Sequence, residues 1–346
     1  MRRFSKKRIT FLFFLFILLV FTPTIAICNN DYTIIFKHSS RGAANGLFGV
    51  PKIHYEGPSF IGDLAIAGDG NIYITDPHNN RIQIFNPDGI YVSKIKSFGH
   101  NHSELQYPSH VAIKGMNIYI ADSKRKKIYK VSYEGNFINS FQCVSGQCIA
   151  IDKKGNIYDV DYKDKSIYKY NSDGKLLKKF FVKDSSGLSY YPGACAIDSK
   201  ENLYVIGQYR KKGSIYDAIL VFNPSCNFIF GFTGANLDSS IQSSLKNSKA
   251  FFYHVYDIAF DSKDNLYLSD ESSATILKFS STGEYFGRLA KSEYNLPNDV
   301  PTIPYFPVAI TLDKNDNIYC FNATDYRSAV LFKVPQNSKC WIPTPP

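Results

Sequence analysis

The sequence predicts an all-β chain folded as a six-bladed propeller of four-stranded antiparallel blades. Three observations carry that prediction: a short phrase that recurs six times, a composition that favours strands, and a strand-like segment standing alone before the first repeat. The phrase is Asn, an apolar residue, then Tyr, at Asn71, Asn117, Asn156, Asn202, Asn265 and Asn317. Its intervals are 46, 39, 46, 63 and 52 residues. A repeat of this length is one supersecondary unit that cannot bury its own faces and must stack on its neighbours. The six copies fill the chain from about residue 60 to 334, so residues 27–346 read as a single domain.

Composition agrees. The 346 residues are 44% hydrophobic and 20% charged, values of a globular chain that exclude disordered and fibrous classes. Tyr (25) and Phe (27) dominate the aromatics, and both suit a pleated, half-buried surface. The formal charge of +10 is unevenly placed, because Arg2, Arg3, Lys6, Lys7 and Arg8 all precede residue 26. The remainder holds 35 basic against 30 acidic residues, too even a balance to imply a nucleic-acid partner from bulk charge.

Residues 1–26 read as a signal peptide or membrane anchor. The basic start is followed by an apolar run, Phe11 to Phe21, then Pro23 and the small-residue site Thr24-Ile25-Ala26. Left uncut, residues 9–27 are long enough to span a bilayer as a helix, and this would be the only membrane contact. The expected address is therefore outside the cytosol: secreted, periplasmic or on the cell surface. In such a compartment the seven Cys can pair, but an odd number leaves at least one thiol over.

Each copy divides into four strands. Short apolar runs such as Val111-Ala112-Ile113 are strand a, and Asn-Ile-Tyr-Ile alternates as strand b. Ile82-Gln83-Ile84-Phe85 and Ile128-Tyr129-Lys130-Val131 alternate as strand c. Turns rich in Gly, Asp and Asn, such as Pro87-Asp88-Gly89, join the strands. The fourth copy departs, with Gly207 where others hold Asp and an insertion between strands b and c. The sixth lacks a strand d after Ala329–Val334. The lone segment Asp31–Phe36 is expected to supply it, closing the ring and hiding an open edge. Cys28 and Cys340 would then lie close enough for a bridge, and Cys143 and Cys148 could form a local one.

The phrases Gly70-Asn71-Ile72-Tyr73-Ile74-Thr75-Asp76, Asn80-Arg81-Ile82 and Asp88-Gly89 resemble the signature of the NHL-repeat family, over about four fifths of the chain. That resemblance implies the six-bladed fold. It also implies that related propellers hold a metal in the central channel, as the peptidyl-amidoglycolate lyases and the gluconolactonase and paraoxonase group do. Those lyases carry His directly after the strand-opening Pro, whereas here Ser109 follows Pro108 and Gly193 follows Pro192. By strand alternation, His110 should point the other way.

On a propeller the turns after strands a and c share one face, and the b–c loops and d-to-a crossovers share the other. The long excursions, Ser97–Tyr107, Gln208–Asp217, Gly231–Tyr256 and Leu289–Phe306, all belong to the second face, with a short helix expected over Leu237–Lys246. That face is the expected binding surface. It carries a basic arc with aromatics across blades 2–4: Lys124, Arg125, Lys126, Lys127, Tyr162, Lys163, Lys165, Tyr209, Arg210, Lys211 and Lys212. Such an arc suits a protein or an anionic glycan or envelope polymer, and export argues against nucleic acid. Aligned strand-a positions place Asp63, His110, Cys148, Ala194, Asp257 and Ala309 at the channel mouth. Asp63, His110 and Asp257, with His100, His102 and His254 nearby, are the candidate ligands for Zn or Ca. No cofactor is otherwise expected. A binding module without catalytic residues is the first functional reading, and a metal-dependent lyase or lactonase-like hydrolase is the alternative.

Overall fold

The computed structural model describes residues 33–38, 42–49, 62–98, 104–211, 214–234, 245–252, 254–289, 307–324 and 328–343. The expected leader (1–26), Cys28, His100, His102, residues 237–244 of the expected helix and most of Leu289–Phe306 lie outside them.

Strand β1 (Thr33–His38) precedes the first blade. Blade 1 holds β2 (Leu64–Ile66), β3 (Ile72–Asp76), β4 (Arg81–Phe85) and β5 (Tyr91–Ile95). Blade 2 holds β6 (Pro108–Lys114), β7 (Asn117–Asp122), β8 (Lys127–Ser132) and β9 (Phe137–Gln142). Blade 3 holds β10 (Cys148–Ile151), β11 (Ile157–Asp161), β12 (Ser166–Tyr170) and β13 (Leu176–Phe181). Blade 4 holds β14 (Tyr191–Ile197), β15 (Leu203–Lys211), β16 (Ser214–Phe222) and β17 (Phe228–Thr233), with β18 (Lys246–Asn247) added in parallel. Blade 5 holds β19 (Val255–Phe260), β20 (Leu266–Asp270), β21 (Thr275–Phe279) and β22 (Tyr285–Leu289). Blade 6 holds β23 (Pro307–Leu312), β24 (Ile318–Thr324) and β25 (Ser328–Val334). The tail strand β26 (Trp341–Pro343) ends the described chain.

The ring closes as expected. β1 pairs antiparallel with β25, from Thr33 opposite Lys333 to His38 opposite Ala329, and so completes blade 6. Residues 42–49 then carry the chain to blade 1, where buried Arg81 fixes them. Its guanidinium donates to Asp76 and to the carbonyls of Ala43, Ala44 and Leu47, and Asp76 accepts the Gly49 amide. A charge this deep is tolerated because the guanidinium donates to a carboxylate and to three carbonyls.

The repeated Asn has a turn-forming role. In blade 3 Asp152 Oδ1 accepts the amides of Lys154 and Asn156, while Asn156 Nδ2 donates to Asp152 Oδ2 at 2.7 Å. Blades 4, 5 and 6 repeat this with Asp198–Asn202, Asp261–Asn265 and Asp313–Asn317. The Tyr that follows is buried between blades: Tyr73 donates to the Tyr133 carbonyl of blade 2, and Tyr204 to the Ser281 carbonyl of blade 5.

These turns also hook one blade to the next. Glu201, Asp264 and Asp316 hold left-handed backbone, with φ of 68°, 61° and 60°, where Gly would be the easy choice. Each carboxylate reaches the preceding blade: Glu201 accepts the Lys153 amide, Asp264 the Ser199 amide and hydroxyl, and Asp316 the Ser262 amide and hydroxyl. The backbone strain is offset by these contacts.

Three expectations are corrected. The insertion at Gln208–Asp217 is not a loop; it extends β15 and β16 into one long hairpin, with Tyr209 opposite Tyr216 and Lys211 opposite Ser214. The C-terminal end of the expected helix, Lys246, lies in β18. Cys143 and Cys148 are separate free thiols, so the local bridge is absent. The tail also does something unforeseen. β26 leaves blade 6 and pairs with β22, making a fifth strand on blade 5. Gly287 permits this approach, since a Cβ there would stand 2.3 Å from the Ile342 carbonyl oxygen.

The turn hooks make a stability prediction. In denaturant titrations Asp316→Ala is expected to lose about 0.5–1.5 kcal/mol, because the Ser262 groups exchange their acceptor for water. Asp316→Gly should lose about 1 kcal/mol less, being free of left-handed strain. A glycine variant more stable than the wild type by the whole of that strain, about 1 kcal/mol, would show that the hook contributes nothing.

Candidate functional site

A cavity of about 450 Å³ opens at the centre of the face formed by b–c turns and crossovers. Asp63, His110, Cys148, Ala194, Asp257 and Ala309, the six aligned strand-a positions, all line it. Pro77, Ser123 and Tyr162 of the b–c turns, with Tyr107 and Gln147 of the crossovers and Tyr256 of β19, form its rim.

His110 faces this cavity, contrary to simple alternation. The pairing of β6 with β7 slips between Pro108 and His110, so Ser109 is an extra residue that resets the side on which its neighbours point. Strands β14, β19 and β23 carry bulges at the corresponding place. His110 Nε2 lies 3.2 Å from Asp63 Oδ2. Burial pulls the imidazole towards the neutral form, but the Asp63 carboxylate and the Cys148 thiol outweigh it and hold the pKa at about 9.

The two channel carboxylates are committed to backbone. Asp63 Oδ2 accepts the Val111 amide of blade 2 at 3.0 Å. Asp257 Oδ1 accepts the Ile258 amide, and its Oδ2 the Ile310 amide of blade 6, both at 2.8 Å. Burial pushes both acids above the usual carboxylate range. Among the described residues, no group of three or more His, Cys, Asp or Glu could hold a metal ion. Asp63, His110 and Asp257 share one cavity without converging on one centre. His254 lies away from its lining and sits 3.6 Å from Glu271.

The basic arc divides into parts with different roles. Lys124, Lys126 and Lys163 converge on a second cleft of about 210 Å³ between blades 2 and 3. That cleft shares Ser123 and Gln147 with the central cavity, so the two adjoin. Lys126 and Lys165 hold equivalent left-handed turn positions, with φ of 53° and 57°. At the rim, Tyr162 and Tyr191 stand 5.0 Å apart, Lys165 Nζ lies 4.0 Å from the Tyr191 ring centre, and Arg210 donates to the Tyr162 hydroxyl at 3.2 Å. Arg125 is directed elsewhere, its Nε donating to the Glu104 carbonyl. Lys127 lies 5.8 Å from the Tyr129 ring centre, and Tyr209 packs against Tyr190 in the core of blades 3 and 4. Lys211 ends β15, and Lys212 lies outside the described residues. Tyr191, which sequence reading missed, joins the site because β14 passes beneath Tyr162; no local motif signals it.

A family model described as a 6-bladed beta-propeller (DUF5128) matches residues 60–218. No curated protein matches the sequence. Among solved structures, a protein of unknown function from Bacteroides thetaiotaomicron is 14% identical with a TM-score of 0.60, over 88% of this chain and 75% of that one. A streptogramin B lyase is 14% identical with a TM-score of 0.52, over 81% of this chain and 95% of its own. Hydrazine synthase from Kuenenia stuttgartiensis is 11% identical with a TM-score of 0.53, over 84% and 99%. Identities this low carry the architecture alone, and the architecture is that of a six-bladed β-propeller.

Two pH effects follow. The folded pKa of His110 exceeds the ordinary 6.5, so its contribution to stability is full below about 6.5 and is lost as pH rises through about 9. In Asp63→Asn, burial is opposed by Cys148 alone, and an NMR titration of His110 should move down from about 9 towards the ordinary 6.5. Asp217, buried with Oδ2 on the Val255 amide, is raised by burial to about 7. A raised carboxylate favours the folded state at low pH and loses that contribution as pH climbs from about 4 to about 7. Relative to Asp217→Asn, the wild type should therefore lose about 2–4 kcal/mol between pH 4 and pH 8 in guanidinium titrations. A constant difference would refute the burial argument.

Proposed function

We propose that this chain is an exported, NHL-type propeller that acts as a binding module for an acidic envelope polymer or glycan. The observation that carries the reading is the convergence of Lys124, Lys126 and Lys163 on a cleft that adjoins the central cavity. Three lysines from two consecutive blades line that cleft, with Asp161 as the acid among its lining residues. A carboxylate or sulfate seated there gains from all three, and the field decays within about 10 Å at ordinary salt. The apolar walls and the Tyr162 and Tyr191 rings of the neighbouring rim offer flat surface for the body of the same ligand. The strands beneath are rigid and close-packed, so the site is largely pre-formed. The basic leader and apolar run at residues 1–26 support export, where acidic polymers are met and nucleic acid is not.

The test is retention on an immobilised polyanion such as heparin or polygalacturonate. The variant Lys124→Glu, Lys126→Glu and Lys163→Glu should elute at markedly lower salt than the wild type. The control reverses Lys154, Lys200 and Lys263, exposed residues in the a–b turns of the opposite face, and changes net charge equally. It should elute with the wild type. Equal shifts in the two variants would mean that bulk charge alone is being read, and would overturn the proposal.

A further inference from the structure

The cavity wall contains a pair of thiols. Cys148 opens β10 of blade 3 and lines the cavity. Cys195 lies on β14 of blade 4, just behind the wall formed by Gly193 and Ala194. Their Sγ atoms are 3.8 Å apart across the blade boundary. The bulge of β14 between Pro192 and Cys195 produces this meeting, because it sets Cys195 rather than a channel-facing neighbour against the adjacent blade. Both thiols are buried to below a tenth of their surface, yet only Cys148 borders the open cavity. His110, at the equivalent position of blade 2, stands beside Cys148 and is itself paired with Asp63.

We propose that the channel mouth is a site of thiol–disulfide exchange, in which Cys148 attacks a small disulfide that enters the cavity and Cys195 resolves the adduct. The Cys148 thiolate attacks one sulfur of R–S–S–R, forming a Cys148–S–S–R bond and expelling RS⁻, which takes up a proton. The Cys195 thiolate then attacks the Cys148 sulfur, forming the Cys148–Cys195 bond and expelling the second RS⁻. Two protein thiols are oxidised, one small disulfide is reduced to two thiols, and the two protons pass to the leaving groups. The order follows from geometry, since Cys195 is screened from the cavity by Cys148 and Ala194. The contact with Cys195 and burial hold the Cys148 thiol well above its ordinary pKa, so exchange accelerates with rising pH. This inference does not rest on the lysine cleft, and its readout is independent of polyanion retention.

The experiment incubates the full-length folded protein with glutathione disulfide and maps the products by peptide mass spectrometry. The wild type should yield a Cys148–Cys195 bridge, with Cys148 consumed roughly tenfold faster than the buried free thiols Cys143, Cys226 and Cys320. Cys195→Ser should stop at one glutathionyl group on Cys148. Cys148→Ser should leave Cys195 unreacted. The wild-type map decides the matter even if a variant fails to fold. The proposal is overturned if Cys148 reacts only after unfolding in guanidinium, if all buried thiols react at one rate, or if Cys195→Ser carries the adduct elsewhere.

Discussion

Every blade of this propeller must hand the chain to the next without stranding the amides of its innermost strand, and buried carboxylates meet that constraint. Asp63 accepts the Val111 amide across the blade 1–2 boundary, Asp217 the Val255 amide across 4–5, and Asp257 the Ile310 amide across 5–6. Asp122 and Asp159 do the same for the crossover segments that enter blades 2 and 3. A backbone donor left dry in this interior would cost about 1–3 kcal/mol, so these contacts decide whether neighbouring blades can pack at all. On the opposite face Glu201, Asp264 and Asp316 repeat the device at the turns.

The same constraint shapes the site. Acids gather around the channel because they hold strands together, and their oxygens face amides rather than a shared centre. That is why Asp63, His110 and Asp257 resemble a metal site in the sequence and do not assemble one among the described residues. With the channel acids turned to backbone, lysines outnumber acids in the adjoining cleft, where Lys124, Lys126 and Lys163 stand with Asp161. Asp217 illustrates the division: it ends the Gln208–Asp217 insertion that carries part of the basic arc, yet it is buried against blade 5.

Much of the fold was legible because it depends on local chemistry. The Asn of blades 3–6 needs its Asp four residues earlier, the Tyr needs a neighbouring blade, and a missing last strand needs a partner from the other end of the chain. The aligned strand-a positions came out as one ring of cavity residues for the same reason, since six similar units related by rotation place equivalent residues at equivalent depth. The basic arc was legible as a stretch of sequence and not as a set of partners. Lys124, Lys126 and Lys163 line one cleft, while Arg125 and Tyr209, members of the same arc in the sequence, are held by backbone and core.

Sequence alone determined the blade count, the strand order and the closure of the ring, because period, turn chemistry and alternation are properties of neighbouring residues. Tertiary structure alone decided which way His110 points, where Cys195 meets Cys148, and that the tail joins blade 5. Each of these turns on a bulge or on an edge contact between segments far apart in the chain. One inserted residue reverses every side chain beyond it, and nothing in the local pattern announces where the partner strand will absorb it.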